Sequence, residues 1–132
     1  MPSFEITHRK RLEKAARQAA AKSYSPYSNF AVGAALLTCD DKIVNGCNIE
    51  NASYGLTLCA ERVALARAVA EGHRHFSALF IFTATQTPTP PCGACLQVLA
   101  EFAPQLRITA VCDTELTLEG GLDDFLPHAF VR

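Results

Sequence analysis

The chain has no long hydrophobic run, no internal repeat and almost no net charge. Because no apolar stretch approaches the roughly 20 residues of a membrane-spanning helix, we expect no membrane partner. Its 132 residues carry a formal charge of −1, without the surplus of Lys and Arg that binds a phosphate backbone. We therefore expect no nucleic-acid partner. Without a linker or low-complexity tract, residues 1–132 are predicted to form a single domain.

The six cysteines are unusual for a chain with no secretory signature. Residues 1–22 are charged and alanine-rich, so we expect a soluble, cytoplasmic protein. In that compartment cysteines more often serve metal or redox chemistry than disulfides. Cys39, Cys47 and Cys112 fall in or next to predicted strands, and we expect them to be buried as small hydrophobic residues.

Hydrophobic periodicity and turn residues predict the order helix, hairpin, helix, strand, helix, strand. Thr7 is the expected cap of the first helix. A strand–helix–strand–helix–strand run requires crossovers and parallel pairing, whereas a hairpin adds an antiparallel pair. The fold class is therefore α/β, a three-layer α/β/α sandwich with a mixed sheet. The strands are predicted at 30–38, 42–49, 77–85, 107–112 and, as a fifth, 115–118, and the helices at 8–22, 58–70, 92–103 and 122–126.

Two cysteine motifs stand at predicted helix starts, each after a loop that leaves the sheet. One is a Cys-Ala-Glu triplet beginning at Cys59, and the other is a Pro-Cys-Gly-Ala-Cys segment containing Cys92 and Cys95. Unpaired N–H groups and partial positive charge at a helix start favour the thiolate, the form that binds zinc. A structural zinc site takes four protein ligands, whereas a catalytic site takes three and leaves one position for water. The motifs therefore predict one catalytic Zn²⁺ ion.

Two charged residues follow Cys59 closely. Glu61 is the candidate proton carrier between water and a leaving group. A lone Glu at a helix start more often only favours the helix dipole, but three zinc-spaced cysteines make catalysis the better interpretation. Arg62, one turn after Cys59, is predicted to hydrogen-bond the thiolates and offset their charge. The alternative for Arg62 is a solvent-facing position.

Four segments resemble the small, tetrameric cytidine deaminases: SPYSNFAVGAAL, GCNIENASYG, CAERVAL and PPCGACLQVL. The resemblance covers nearly the whole chain, from Tyr24 to Pro127. It implies a mixed five-stranded sheet flanked by helices. It also implies hydrolytic deamination of cytidine and 2′-deoxycytidine to the uridine nucleosides and ammonia, a reaction of pyrimidine salvage. Carried over by position, it implies one zinc ion per subunit, with Glu61 as proton shuttle and three ligands: Cys59, Cys92 and Cys95.

The same resemblance implies the substrate contacts within one subunit. Asn48 and Glu50 would hold the ribose hydroxyl, and Phe30 would pack on the pyrimidine ring. The backbone of Ala60 would meet the base near the metal. Without the resemblance, an Asn-rich segment is more typical of a turn.

Other matched positions concern the partner subunits and the metal surroundings. Tyr54 and Phe130 match residues that reach into a neighbour's site, which implies a homotetramer with shared active sites. The alternative for Phe130 is that it covers its own core. Leu96 stands where the family commonly has Arg, which removes a second positive charge near the sulfurs, while Gln97 is retained.

Two other functions stay open from the sequence. One is deamination of a different cytosine compound, such as a nucleoside antibiotic or a base within a nucleic acid. A nucleic-acid substrate needs a channel with basic and aromatic residues, for which the composition gives no surplus. The other is a structural zinc module with a fourth His or Cys ligand, which would leave Glu61 unexplained.

Overall fold

A computed structural model describes residues 2–132, with side chains from Thr7 onward. None of the helices in this range has the length and apolar character needed to cross a membrane. A short 3₁₀ helix, Tyr54–Leu56, was not among the predicted elements. The regular elements are the helices α1 (Pro2–Ala20), α2 (Ala60–Ala70), α3 (Gly93–Phe102) and α4 (Leu122–Phe125), and the strands β1 (Val32–Thr38), β2 (Ile43–Cys47), β3 (Phe76–Thr83), β4 (Arg107–Val111) and β5 (Thr117–Gly121).

The predicted order of elements is confirmed, but several boundaries differ. The first helix begins at Pro2, so Thr7 lies inside it and the predicted cap is wrong. Pro2 is compatible with this start because the first N–H groups of a helix have no intrahelical partner. β1 begins at Val32 rather than at Phe30. Asn29, the residue before Phe30, has a left-handed φ of 57°.

The five strands form one mixed sheet in the order β2-β1-β3-β4-β5. β1 is antiparallel to both β2 and β3, β3 is parallel to β4, and β4 is antiparallel to β5. The crossover through α2 therefore joins two strands of the same direction, β2 and β3, that are separated by β1. The crossover through α3 joins adjacent parallel strands, as predicted.

Successive residues of each strand face opposite layers of the fold. In β1, Ala35 and Leu37 pack against α1, which contributes Leu12 to the same apolar cluster. Ala34 and Leu36 belong to the cluster on the other face, which includes side chains of α2 and α3. This alternation confirms the three-layer α/β/α sandwich.

The hairpin and α2 approach each other unusually closely at Gly46. A Cβ atom built on Gly46 would lie 2.5 Å from the backbone nitrogen of Ala64. Only a residue without a side chain allows this approach. The contact sets the position of α2, whose first turn carries three of the candidate site residues, Ala60, Glu61 and Arg62.

The three cysteines outside the motifs differ in burial. Cys112 is buried, as predicted, whereas Cys47 is half-buried and Cys39 is exposed. The prediction for Cys39 is wrong because the residue follows a register shift at Leu37/Thr38 and lies beyond the end of β1.

Candidate metal centre

Both cysteine motifs lie at the same edge of the sheet. α2 follows β2 and α3 follows β3, and because these strands point the same way, both helices begin beyond the carboxyl ends of their strands. This edge is where α/β sheets commonly bind ligands. Cys59 is the residue that precedes α2, and Cys92 is the residue that precedes α3. Neither side chain caps its own helix, so both sulfurs are available to a shared partner.

The three sulfurs form one compact group. The Sγ atom of Cys92 lies 3.9 Å from that of Cys59 and 3.5 Å from that of Cys95. Tetrahedral zinc with Zn–S bonds of about 2.3 Å separates its sulfur ligands by about 3.8 Å. The donor set and its spacing therefore fit a zinc ion. Among the residues with described side chains, the group of potential ligands within 4.8 Å of one another contains these three cysteines alone.

A guanidinium adjoins the sulfurs. Arg62 Nη2 donates a hydrogen bond to Cys59 Sγ at 3.5 Å, and this contact raises the pKa of Arg62 above its usual value. The hydrogen bond with Cys95 lowers the pKa of the Cys59 thiol to about 5, and Arg62 adds to that effect. The buried Nε atom of Arg62 has no hydrogen-bond partner within the described residues. The guanidinium thus places positive charge against a sulfur that is readily ionised.

Glu61 lies in the first turn of α2 and is only 5% exposed. It lines a cavity of about 230 Å³ together with Cys59 and Cys92. Burial raises the pKa of its carboxyl group to about 7. A carboxyl group with such a pKa is suited to both accepting and donating a proton near neutral pH.

The cavity also receives three of the predicted substrate residues: Phe30, Asn48 and Ala60. Thr57, Leu58 and Thr89 are among the other residues that line it, and no sequence motif indicated them. None of these stands in a motif, and only the fold brings them to the cavity. The cavity lining thus combines apolar side chains with a thiol pair and a carboxyl group.

Asn48 is buried and holds the loop that carries Phe30. Its Nδ2 donates to Phe30 O at 2.7 Å, and its Oδ1 accepts from Val32 N at 3.0 Å and Ser23 Oγ at 2.5 Å. A side-chain amide has two N–H donors, so one remains after these contacts. Asn48 can therefore support the loop and still donate one hydrogen bond into the cavity.

Glu50 lies in an adjoining groove, which it lines with Ser28, Tyr54 and Thr57. Thr57 lines both the groove and the cavity, so the two adjoin at this residue. Glu50 Oε1 accepts hydrogen bonds from Tyr27 N at 2.9 Å and Ser28 N at 3.1 Å. The hydrogen bond from the Ser28 hydroxyl lowers the pKa of Glu50, with the backbone contacts acting in the same direction. Glu50 is therefore an ionised acceptor at neutral pH.

The two residues matched to partner contacts are strongly exposed. Tyr54 is 69% exposed and meets the ring of Tyr27 edge-on at 5.9 Å between centroids. Phe130 is 72% exposed, so it does not cover its own core, and it is not among the described residues that line the cavity. Gln97 holds the backbone of Phe130 at both ends, donating to its O and accepting from its N at 2.9 Å each. No sequence signal predicts this clamp.

Leu96 is buried in the apolar cluster shared by α2 and α3. It contributes packing next to Cys95 and no charge. Arg62 is consequently the one guanidinium that contacts the sulfurs among the described side chains.

Both the sequence and the structure of this chain are similar to those of known proteins. The family profile described as "Cytidine and deoxycytidylate deaminase zinc-binding region" matches residues 6–111. A cytidine deaminase of Halalkalibacterium halodurans is 55% identical over 96 residues, 73% of each chain. A cytidine deaminase of Mycobacterium tuberculosis is 50% identical over 120 residues, 87% of this chain and 84% of that one. The crystal structure of a cytidine deaminase from Burkholderia pseudomallei superposes with a TM-score of 0.88 at 47% identity, covering 92% of this chain and 98% of that one.

Proposed function

Because the chain belongs to the cytidine and deoxycytidylate deaminase family, we propose that the pocket beside its three cysteines binds cytidine and 2′-deoxycytidine. The reaction is the zinc-dependent hydrolysis of cytidine to uridine and ammonia. The observation that carries the assignment is one cavity lined by a buried carboxyl group and by two cysteines of a zinc-spaced group of three. We propose that this reaction serves pyrimidine salvage.

Cys59, Cys92 and Cys95 would hold one zinc ion per chain. Zinc, when bound, supplies the Lewis acidity that makes water nucleophilic near neutral pH. The chain itself supplies three thiolates at two helix starts, where the unpaired N–H groups stabilise negative charge. Arg62 contacts Cys59 and offsets part of that charge, which keeps the site from becoming strongly anionic.

Glu61 would move the protons of the reaction. Its carboxylate accepts a proton from the attacking water and gives it to N3 of the pyrimidine. After the water oxygen has bonded to C4, the carboxylate takes the remaining proton from that oxygen and gives it to the amino group. The C4–N bond then breaks, ammonia leaves and the C4 oxygen remains as the carbonyl. Its burial and its position on the cavity wall support this role.

The pocket walls would orient the nucleoside. Phe30 faces the cavity and offers a ring on which the pyrimidine packs. Ala60 is the first residue of α2, so its backbone N–H has no intrahelical partner and is available to the base. Asn48 offers one N–H and Glu50 an ionised carboxylate on the sugar side. The base therefore lies near the cysteines and the ribose toward the groove.

We also propose that the chain assembles as a homotetramer in which Phe130 and Tyr54 complete a neighbour's site. Their exposure, together with that of Leu56 and Val131, leaves large apolar side chains on the surface of the single chain. The clamp from Gln97 holds the Phe130 backbone while its ring stays exposed. Light scattering at several protein concentrations measures the assembly directly.

Two further proposals concern the whole chain. Residues 1–132 act as one domain, because both apolar clusters pack on the same sheet. A cytoplasmic location is supported by the cysteines, all six of which are free, since a reducing compartment preserves thiols.

The substitution Glu61→Gln tests the assignment. We expect zinc content to persist while cytidine turnover falls at least about 10³-fold, because the amide cannot relay protons. Glu71→Gln is the matched control, since Glu71 is exposed at the other end of the same helix. Retained turnover in Glu61→Gln would remove Glu61 from the mechanism.

A substrate panel separates this function from its alternatives. Cytidine, 2′-deoxycytidine, cytosine, blasticidin S and a single-stranded oligonucleotide are compared on one zinc-quantified sample. We expect the two nucleosides to be the best substrates. Preference for blasticidin S or the oligonucleotide would overturn the nucleoside assignment, and no turnover with inert zinc would favour a structural module.

A further inference from the structure

The loop that joins α1 to β1 carries Phe30 and has almost no regular structure of its own. The segment after β2 holds it in place. Tyr24 N donates to Asn48 O at 3.1 Å, and Glu50 N donates to Tyr24 O at 2.8 Å. The Glu50 carboxylate then binds the loop again through the backbone N–H groups of Tyr27 and Ser28. The position of Phe30 therefore depends on contacts made by Glu50.

The hydroxyl of Ser28 is the side-chain link between Glu50 and Phe30. It donates to Glu50 Oε2 and accepts a hydrogen bond from Phe30 N at 3.0 Å. A serine hydroxyl has one proton to donate, so the contact with Glu50 fixes the direction of that proton. The next residue, Asn29, has a φ of 57°, which turns the chain sharply between Ser28 and Phe30.

The remaining capacity of Glu50 is limited. An ionised carboxylate offers about four acceptor positions. Two backbone N–H groups occupy Oε1 and the Ser28 hydroxyl occupies one position on Oε2. One position is left on Oε2, and Glu50 lines the groove that meets the cavity at Thr57. The Ser28 hydroxyl holds Oε2 while the two N–H groups hold Oε1, so the carboxylate is fixed at both oxygens and Ser28 sets the direction of Oε2.

We propose that Ser28 is a positioning residue for sugar recognition, aiming one oxygen of Glu50 at a sugar hydroxyl of the nucleoside. The proposal rests on the proposed function, in which Glu50 meets the ribose and Phe30 meets the base. Through its two hydrogen bonds Ser28 fixes the distance between these two contacts. It thereby makes the site select nucleosides that carry the sugar hydroxyl and reject those that lack it.

The test compares substrates that differ only in the sugar. For each variant, kcat/KM is measured with cytidine, 2′-deoxycytidine, 3′-deoxycytidine and 2′,3′-dideoxycytidine. We expect the wild-type protein to prefer cytidine over the dideoxy analogue. In Ser28→Ala that preference should fall about tenfold, because the loss is confined to substrates that bind Glu50. Ser28→Thr retains the hydroxyl and should restore most of the preference.

Ser25→Ala is the matched control in the same loop. The Ser25 hydroxyl is hydrogen-bonded to that of Ser23 at 3.1 Å and has no hydrogen bond with Glu50, so the preference should be unchanged. A purely structural role for Ser28 would lower kcat/KM equally for all four substrates and leave the ratio intact, and this result would overturn the proposal. The double variant Ser28→Ala/Glu50→Gln should lose no more preference than Glu50→Gln alone, since the two residues act through one contact.

A binding measurement covers the case in which Ser28→Ala folds poorly. The inhibition constants of uridine and 2′,3′-dideoxyuridine are compared in the wild-type protein, Ser28→Thr and Glu50→Gln. We expect the ratio to be retained in the threonine variant and lost in the glutamine variant. An unchanged ratio in Glu50→Gln would overturn the role of Ser28. A wild-type protein that does not deaminate cytidine would overturn the proposed function as well, whereas active enzyme with unaltered ratios refutes Ser28 alone.

Discussion

Glu61 and Glu50 are chemically identical groups that line two adjoining hollows, the cavity and the groove, and their surroundings shift their pKa values in opposite directions. Glu61 is buried in the first turn of α2, and burial raises the pKa of its carboxyl group to about 7. Glu50 stands in an irregular segment, where the Ser28 hydroxyl and two backbone N–H groups lower the pKa of its carboxyl group. One environment favours proton exchange and the other a permanent acceptor.

The two ends also differ in what holds them. At the metal end, helix starts and a sheet edge fix the side chains, so each position depends on backbone geometry and on packing. At the sugar end, side-chain hydrogen bonds hold a loop. Damage to the first region should therefore remove zinc or stability, whereas damage to the second should change selectivity or substrate binding.

The largest expected effect is at the metal end. Replacing Cys95 by Ser removes one of three sulfurs and should abolish stoichiometric zinc, with at least about a 10³-fold loss of cytidine turnover. Zinc is measured by atomic spectroscopy on the same sample as activity. Cys39→Ser is the matched control, since Cys39 is exposed and outside the cysteine group. Full zinc in the Cys95 variant would exclude that residue as a ligand.

The next effect tests the packing that supports the same end. Gly46→Ala places a methyl group against the backbone of α2, 2.5 Å from Ala64 N. We expect the free energy of unfolding to fall by about 2 kcal/mol, because neither backbone can yield easily. Gly55→Ala is the control, since a Cβ there meets no atom within 4 Å. Equal stability of the two variants in urea unfolding would show that α2 can shift without cost.

A smaller effect is expected at the chain's tail. Gln97→Leu removes both hydrogen bonds to the Phe130 backbone. If Phe130 completes a neighbour's site, kcat/KM for cytidine should fall about fivefold, as the loss of about 1 kcal/mol predicts, with zinc content unchanged. Gln105→Leu, at an exposed position after α3, is the control. A loss of zinc in Gln97→Leu would show that the hydrogen bonds of Gln97 support the zinc site instead.

The metal end was the more predictable from sequence, and the reason is local geometry. Cys92 and Cys95 are one turn apart on a helix, and the approach of Cys59 needs only two helices that begin at the same sheet edge. Hydrophobic periodicity and turn residues likewise predict the order of the helices and strands. These features depend on short-range periodicity, which the sequence displays directly.

The sugar end was less predictable because its contacts join distant loop residues. Nothing in the spacing of Ser28 and Glu50 indicates that a hydroxyl links them across 22 positions. The hold of Gln97 on Phe130 spans 33 positions and likewise carries no periodic signal. Gly46 shows the same limit within the core, because the identity of its close neighbour depends on how α2 crosses the hairpin. The exposure of Cys39 depends on a register shift that no residue type predicts.

The smallest expected effect concerns the pH dependence of the sugar end. A carboxyl group whose pKa is lowered by folding contributes stability above its unfolded value, 4.5 for Glu50, and loses that contribution as the pH falls through the folded value. The melting temperature of Glu50→Gln should therefore lie slightly below that of the wild-type protein at pH 7. Below the usual range of a glutamate the two should converge, because the protonated carboxyl group resembles the amide. Protonation of the zinc ligands affects both proteins alike, so the difference between the two melting curves isolates Glu50. A difference that stays constant from pH 7 to pH 4 would mean that Glu50 acts through its shape, and the contrast between the two carboxyl groups would then be limited to Glu61.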